Sequence, residues 1–251
     1  MYSVNTAKSA PTIAPTTAQT AYLRAIFTTI EDGVPVRRAR LCERMRQAAP
    51  TVSQSVGRFA EAGLVVPGDH RELELTEAGR QAAVIAVRRH RLAELMLADV
   101  LELPVQQVHH EATKWESVLS TDVEKSIVAQ LADPRLSPWG NPIPGLDQLG
   151  VRLDPPPLAV SITDALGACH AVHAVVRSVS EDAQDQPELI SELVNAGIIP
   201  NAQVRIEDHG TYYVVRGLNT MKLSRRRAHI IKIDAIEAQS TACDNVVLPF
   251  T

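Results

Sequence analysis

Apolar residues at Ala18, Ala21, Tyr22, Ala25, Ile26 and Ile30 follow a helical period. They predict an amphipathic helix that starts at Thr16 or Thr17 and ends near Gly33. A second short helix is predicted from Arg38 to Arg46. After a tight turn at 47–49, Val52, Val56 and Phe59 place one apolar face on a third helix, with Pro50 in its first turn and Gly63 at its stop. Leu64–Val66, the polar turn 67–71 and the alternating Glu72–Leu75 read as two strands. Helices followed by a hairpin in this order make a winged helix-turn-helix, with the helix over 50–63 as its reader.

The pattern then changes scale. Thr76–Leu101 reads as one long helix capped by Thr76, and further helices are predicted at 105–117 and 122–132. Leu92, Leu95, Met96 and Val100 form a broad apolar stripe, suited to burial in its own domain or against a second copy; a homodimer is expected. Leu153–Pro157, LDPPP, is a stiff linker. Beyond it, alternating stretches at 172–179, 203–206, 211–215 and 229–233 predict strands, with a short helix at 187–196 between them and no regular period from Ile236 onward. The fold class is therefore mainly α with a small β domain. The expected divisions are a disordered arm (1–15), a winged helix (16–85), a helical domain (86–151), a Pro-rich linker (152–160), the β domain (161–238) and a tail (239–251).

Composition narrows the function classes. A formal net charge of −4 over 251 residues gives no global basic signature, so a DNA reader must concentrate its cations locally. Three cysteines without framework spacing read as reduced thiols. With no long apolar run and no signal-peptide pattern, a soluble cytoplasmic protein is expected.

Candidate chemistry lies in two places. On the third helix, Thr51, Gln54, Ser55 and Arg58 oppose the apolar face, and small or amide groups of this kind can touch base edges. His70 and Arg71 on the wing suit phosphate contacts or plain solvation. Gly57 costs a helix about 1 kcal/mol against Ala, which close approach of another backbone would explain. In the central helices His90 and Glu94 are i, i+4. His109, Thr113, Glu116 and Ser117 share a second face. Two imidazoles and a carboxylate suit a divalent first-row metal; the same residues also suit a hydrogen-bonded His–Glu pair. Cys169, His170 and His173 hint at a cluster, but on a strand the two histidines face opposite ways. Arg225–Arg227 reads as a solvated turn.

Several stretches carry a family resemblance: PTVSQSVGR (50–58), GLVV (63–66), LTEAGR (75–80), RRHRLAE (88–94), HHEATKWE (109–116) and GNPIPGLDQLG (140–150). From Tyr22 to Gly150 the chain resembles the DtxR/IdeR family of iron-dependent transcriptional repressors. The resemblance implies a winged helix, a helical dimerisation domain and a C-terminal SH3-like domain. It places Arg38, Pro50, Thr51, Ser53 and Gln54 at DNA-contact positions and implies two adjacent metal sites. The family's primary site uses a methionine, a cysteine, a glutamate and a histidine, and this chain has Ala21, Thr113, Glu116 and Ser117 at those positions. Without thioether, thiolate or imidazole, that site is expected to be lost. The ancillary site retains His90, Glu94 and His109. The glutamate and glutamine that complete it align with Gln186 and Leu189, with Glu188 alongside, so Gln186 and Glu188 are the candidate ligands. Zinc, cobalt, manganese or iron there, or no metal at all, is the expectation.

The reading that follows is a dimeric DNA-binding repressor of a palindromic operator that does not need iron at the primary site. The alternatives are a metal-dependent repressor working through the ancillary site or substituted ligands, an interaction module without DNA, and a metalloenzyme built on His90, Glu94 and His109.

Overall fold

The computed structural model describes residues 16–239 except 153, 155, 157, 158 and 168. The expected arm at 1–15, the tail beyond 239 and part of the LDPPP linker lie outside the described residues. Helix α1 (Thr17–Glu31) opens with a capping box: Thr16 Oγ1 accepts from the Gln19 amide, and the Gln19 side chain accepts from the Thr16 amide. Helices α2 (Arg38–Met45) and α3 (Ala49–Glu61) follow, then the antiparallel hairpin β1 (Val65–Pro67) and β2 (Leu73–Leu75). Tyr22, Ile26, Leu41, Val52, Val56, Phe59 and Leu73 form a core belonging to this unit alone. At the hairpin tip His70 and Arg71 both adopt positive φ, 53° and 65°.

Helix α4 (Glu77–Leu95) begins beneath the wing. Thr76 Oγ1 caps it by accepting from Gly79 N and also donates to Gly63 O. A Cβ at Gly79 would stand 1.9 Å from Leu64 O, so glycine is what lets the wing lie on this helix. The helix then opens into a π turn at Met96–Val100, and α5 (Val105–Trp115) and α6 (Thr121–Gln130) complete the helical layer. The apolar stripe divides: Leu92 and Leu95 are buried in the chain's own core and Met96 packs partly buried against it, while Val100 is exposed, as are Leu101 and Val118 outside the stripe. Burial within the domain thus claims most of the stripe.

The C-terminal unit is one antiparallel sheet in the order β3-β8-β4-β5-β6-β7. Its elements are β3 (Val160–Ser161), α7 (Ile162–Leu166), β4 (Ala171–Val179), α8 (Glu181–Gln184), α9 (Pro187–Asn195), β5 (Gln203–Asp208), β6 (Tyr212–Arg216), β7 (Thr220–Ser224) and β8 (Ile231–Gln239). Three readings from periodicity need correcting. Strands β3 and β7 and helices α7 and α8 were not anticipated. The last strand starts at Ile231, because residues 225–230 form a 3-10 turn. It also continues past Ile236 to Gln239, which pairs with Ala171. The pairing of β4 with β8 carries two bulges, and bulges break the alternation that a sequence pattern relies on.

Leu92, Val108 and Trp139 of the helical layer share a single core with Val172, Ile206 and Ile233 of the sheet. The helical layer and the sheet are thus fused, and the winged helix is attached to them along α4.

Candidate functional site

In α3, Val52, Val56 and Phe59 turn into the core of the winged helix. This leaves Pro50, Thr51, Ser53, Gln54 and Arg58 exposed and Ser55 half-buried. Arg38 is exposed at the first turn of α2, and His70 and Arg71 are exposed at the wing tip. Among the described residues none of these side chains is hydrogen-bonded within the chain. The expected close approach of another backbone to Gly57 is not there: a Cβ at that position meets nothing within 4 Å. Gly57 lies instead on the exposed face beside Ser53 and Gln54, with open space before it among the described residues.

The second candidate is wholly buried. His90 and Glu94, one turn apart on α4, meet His109 of α5. His90 Nε2 lies 3.1 Å from Glu94 Oε1 and 3.0 Å from His109 Nδ1, and His109 Nδ1 lies 2.9 Å from Glu94 Oε1. Each ring is held from its far side by a carboxylate: His90 Nδ1 by Glu116 Oε2 at 2.7 Å and His109 Nε2 by Asp185 Oδ1 at 3.0 Å. Glu94 Oε2 is buried without a partner. Among the described residues this is the only trio of His, Cys, Asp or Glu side chains close enough to share an ion. Cys169, His170 and His173 form no such group, and His173 Nε2 faces Arg205 Nη1.

A chain of alternating charges leads away from the trio. Arg24 of α1 has Nε 3.1 Å from Glu116 Oε2 and donates from Nη1 to Glu181 Oε2 at 2.8 Å. Glu181 Oε1 accepts from Arg91 Nε at 2.9 Å, and Arg91 reaches Glu31 and the Pro142 carbonyl. Asp185 accepts from Arg44 Nε of α2 at 3.0 Å, and Arg44 also donates to Ala25 O. Thus α1, α2, α4, α5 and α8 are joined by ion pairs, with Glu94, Glu116 and Glu181 almost completely buried.

Burial would raise the carboxyl pKa values of Glu94, Glu181 and Asp185, but their partners win. Attraction to His90 and hydrogen bonds from His109 and His90 hold Glu94 below the usual carboxylate range. Arg91 and Arg24 do the same for Glu181, as do the His109 hydrogen bond and Arg44 for Asp185. Burial pulls His109 downward, yet hydrogen bonds to Asp185 and Glu94 raise it to about 9.

Sequence comparison identifies the context of both features. Residues 16–72 match the iron dependent repressor N-terminal DNA binding domain, and residues 76–145 match the iron dependent repressor metal binding and dimerisation domain. The iron-dependent repressor IdeR of Mycobacterium tuberculosis is 43% identical over 221 residues, covering 86% of this chain and 96% of the relative. This chain belongs to the iron-dependent repressor family. The diphtheria toxin repressor of Corynebacterium diphtheriae is 39% identical over 218 residues, again covering 86% and 96%. Among solved structures, a manganese-dependent transcriptional repressor in complex with manganese is 29% identical and covers 86% of this chain and 99% of its own, with a TM-score of 0.69. ScaR with bound zinc, 20% identical with a TM-score of 0.70, shares the fold. As a member of this family the chain is a DNA-binding transcriptional regulator that self-associates. No described helix is long and apolar enough to cross a membrane.

The matched domain is a metal binding domain, and the residues fit the two positions that the resemblance implies unequally. At the primary position Ala21 offers no donor, and Thr113 Oγ1 donates to the His109 carbonyl of its own helix. Ser117 follows just beyond α5, and Glu116 Oε2 already faces Arg24 and His90. This is a poor set for a late first-row ion. At the ancillary position the fit is good. Ligands about 2.1 Å from an ion on adjacent octahedral corners stand about 3.0 Å apart, the separation seen in the trio. The carboxylates behind both rings are the partners that metal-bound imidazoles have elsewhere. The unpartnered Glu94 oxygen is a further donor.

The C-terminal contributors differ from those expected. Gln186 donates to Asp182 O, Glu188 is exposed on α9, and the side chains that reach the trio and its ring are Asp185 and Glu181. Reasoning from sequence also missed Arg24, Arg44 and Arg91. A local signal existed for Arg24, which interrupts the buried run Tyr22–Ile26.

Proposed function

We propose that this chain represses transcription as a dimer on a palindromic operator, and that its winged helix is oriented by internal ion pairs instead of an ion at the primary position. Helix α3 enters the major groove with Thr51, Ser53, Gln54, Ser55 and Arg58 toward base edges and Pro50 beside them. Arg38, His70 and Arg71 meet phosphates. The exposed Val100, Leu101 and Val118 suit contact with the second copy. The observation that carries the reading is Arg24: its guanidinium lies between Glu116 and Glu181 and ties α1 to the other two units, next to positions without soft ligands. His90, Glu94 and His109 would hold one divalent ion of zinc, cobalt, manganese or iron. Such an ion would add rigidity there without being needed to dock α1.

A mobility-shift assay on a family-like palindrome tests this. Retardation that persists in strong chelator is expected. Loss in chelator with recovery on adding ferrous iron overturns it.

A second reading has one observation in its favour, the convergence of the trio. In that reading the ancillary ion itself gates DNA binding. Replacing Glu94 separates the two, because gating then fails even in excess metal, whereas the first reading leaves retardation intact.

A further inference from the structure

A cleft of 430 Å³ separates α2 of the winged helix from α8 and the 3-10 turn of the C-terminal sheet. Volumes of about 300–1,000 Å³ are usual for small-molecule sites. Both walls are charged, and the charges do not balance. Arg44 is paired with Asp185, Arg226 with Glu43 and His229 with Asp182. Those pairs use every carboxylate in the lining. Three guanidiniums remain. Arg40 has no polar partner among the described residues; Arg46 makes one contact of 3.2 Å to a backbone carbonyl, and Arg227 one of 3.4 Å to an amide. The Ser224 hydroxyl, on the same wall, makes no capping bond to the turn it precedes. Arg46 ends α2 at φ 51°, a conformation that glycine adopts without cost and an arginine does not.

We propose that this cleft binds a compact small-molecule polyanion, bearing either phosphate groups or clustered carboxylates, held by Arg40, Arg46 and Arg227. Guanidinium groups match both chemistries through paired N–H donors. Arg40 and Arg46 belong to the winged helix and Arg227 to the sheet. The ligand therefore binds only when the two walls face each other, and it favours that arrangement by its differential affinity. Arg44 and Asp185 border the cleft and continue to His109, so the anion sits one ion pair away from the buried trio. The Arg225–Arg227 run is accordingly more than a solvated turn. This proposal rests on the DNA-binding reading only for its effect on the operator; the binding itself stands apart.

The test uses the full chain, freed of metal so that chelation contributes no heat. It is titrated calorimetrically with pyrophosphate, citrate and inorganic phosphate at constant ionic strength. Saturable binding at one site per chain is expected for pyrophosphate or citrate, and whichever binds at least tenfold tighter identifies the ligand as phosphate or polycarboxylate. The double variant Arg40→Gln, Arg227→Gln should bind at least tenfold more weakly with an unchanged melting temperature. If it unfolds, Arg227→Gln alone, at an exposed position, serves in its place. The ligand should tighten operator binding by the parent several-fold and leave the variant unaffected. Absence of saturable binding by all three probes overturns the proposal, as does equal binding by the variant. It is equally overturned if the variant loses operator affinity without ligand and its salt slope falls, because the arginines then hold DNA phosphates. If the parent fails to bind any operator while calorimetry succeeds, the DNA reading fails and the cleft stands.

Discussion

Replacing Arg24 by Met keeps the length and apolar stem of the side chain and removes its charge. Glu181 would still have Arg91 at 2.9 Å, but Glu116, fully buried, would retain only His90 Nδ1 at 2.7 Å. Removing one partner of a buried ion pair costs about 3–5 kcal/mol, mostly from the charge left behind. With Glu181 still paired, the lower end applies, about 3 kcal/mol. For a chain of this size that lowers the melting temperature by roughly 6–12 °C. Much of the loss falls on docking of α1, so operator affinity in chelator should also drop about 10- to 100-fold. The partner variant Glu116→Gln removes the stranded charge. The double variant should therefore recover a good part of the loss, a coupling that a double-mutant cycle reads directly. Melting curves and fluorescence anisotropy with labelled operator supply both measurements. An Arg24→Met protein that melts within about 1 °C of the parent and binds DNA equally would refute the argument. Strictly additive single variants would refute it as well.

Gly57→Ala adds a methyl group where the chain has open space, so stability should rise by about 0.5–1 kcal/mol. Operator binding should weaken because that methyl stands on the reading face; unchanged affinity would remove Gly57 from the interface. Burial raises Asp32 to about 7, so the native state keeps a proton that the unfolded chain releases near its ordinary value of 3.8. Stability from this group is complete below about pH 4 and declines as pH rises through about 7. Asp32→Asn should match the parent in urea denaturation at about pH 4.5 and exceed it at about pH 8 by about 2–4 kcal/mol; equal differences at both would contradict the assignment. Cobalt added to metal-free protein should develop visible absorption bands with one equivalent, and Glu94→Gln should weaken that binding about tenfold or more. Identical titrations would mean the ion lies elsewhere.

The winged helix was legible because its information is local. Val52, Val56 and Phe59 recur at helical spacing, and Thr16 and Thr76 cap the helices they precede. The His90–Glu94 pair and the helix face carrying His109 were visible for the same reason, and the resemblance implied that the three converge. The ring around them was not visible. Arg24 and Glu181 are 157 residues apart and Arg91 and Glu181 are 90 apart, so no window contains both members of a pair. Gln186 and Glu188 were expected only from the resemblance, and nothing local in the sequence marks Glu181 and Asp185 as the residues that turn inward. The strand boundaries failed for another reason. Bulges in β4–β8 and the 3-10 turn before β8 interrupt the two-residue period on which strand reading depends.

The two cores explain why charge decides the placement of the winged helix. The helical layer and sheet share continuous apolar packing, which fixes their angle whatever the solution contains. The winged helix has its own core and, besides the packing of α1 and the wing on α4, meets the rest largely through polar and charged contacts, those of Arg24, Arg44 and Arg91 with their carboxylates being the buried ones. Burying such pairs adds little net stability, since desolvation offsets the attraction, but their geometry admits few arrangements. A seam of this kind responds to any ion that enters it. A cation at the trio changes the charge facing Glu116 and Asp185, and an anion in the cleft changes the charge beside Arg44. Both act on the same pairs, from opposite ends of the link His109–Asp185–Arg44. Metal bound at the trio should therefore alter the affinity of the cleft for its anion, and the anion should alter metal affinity by the same factor, as linkage requires. Cobalt titrations with and without pyrophosphate, at equal free cobalt, measure that factor. A ratio of one would show that the two ends of the seam are independent and that the ion pairs between them transmit nothing.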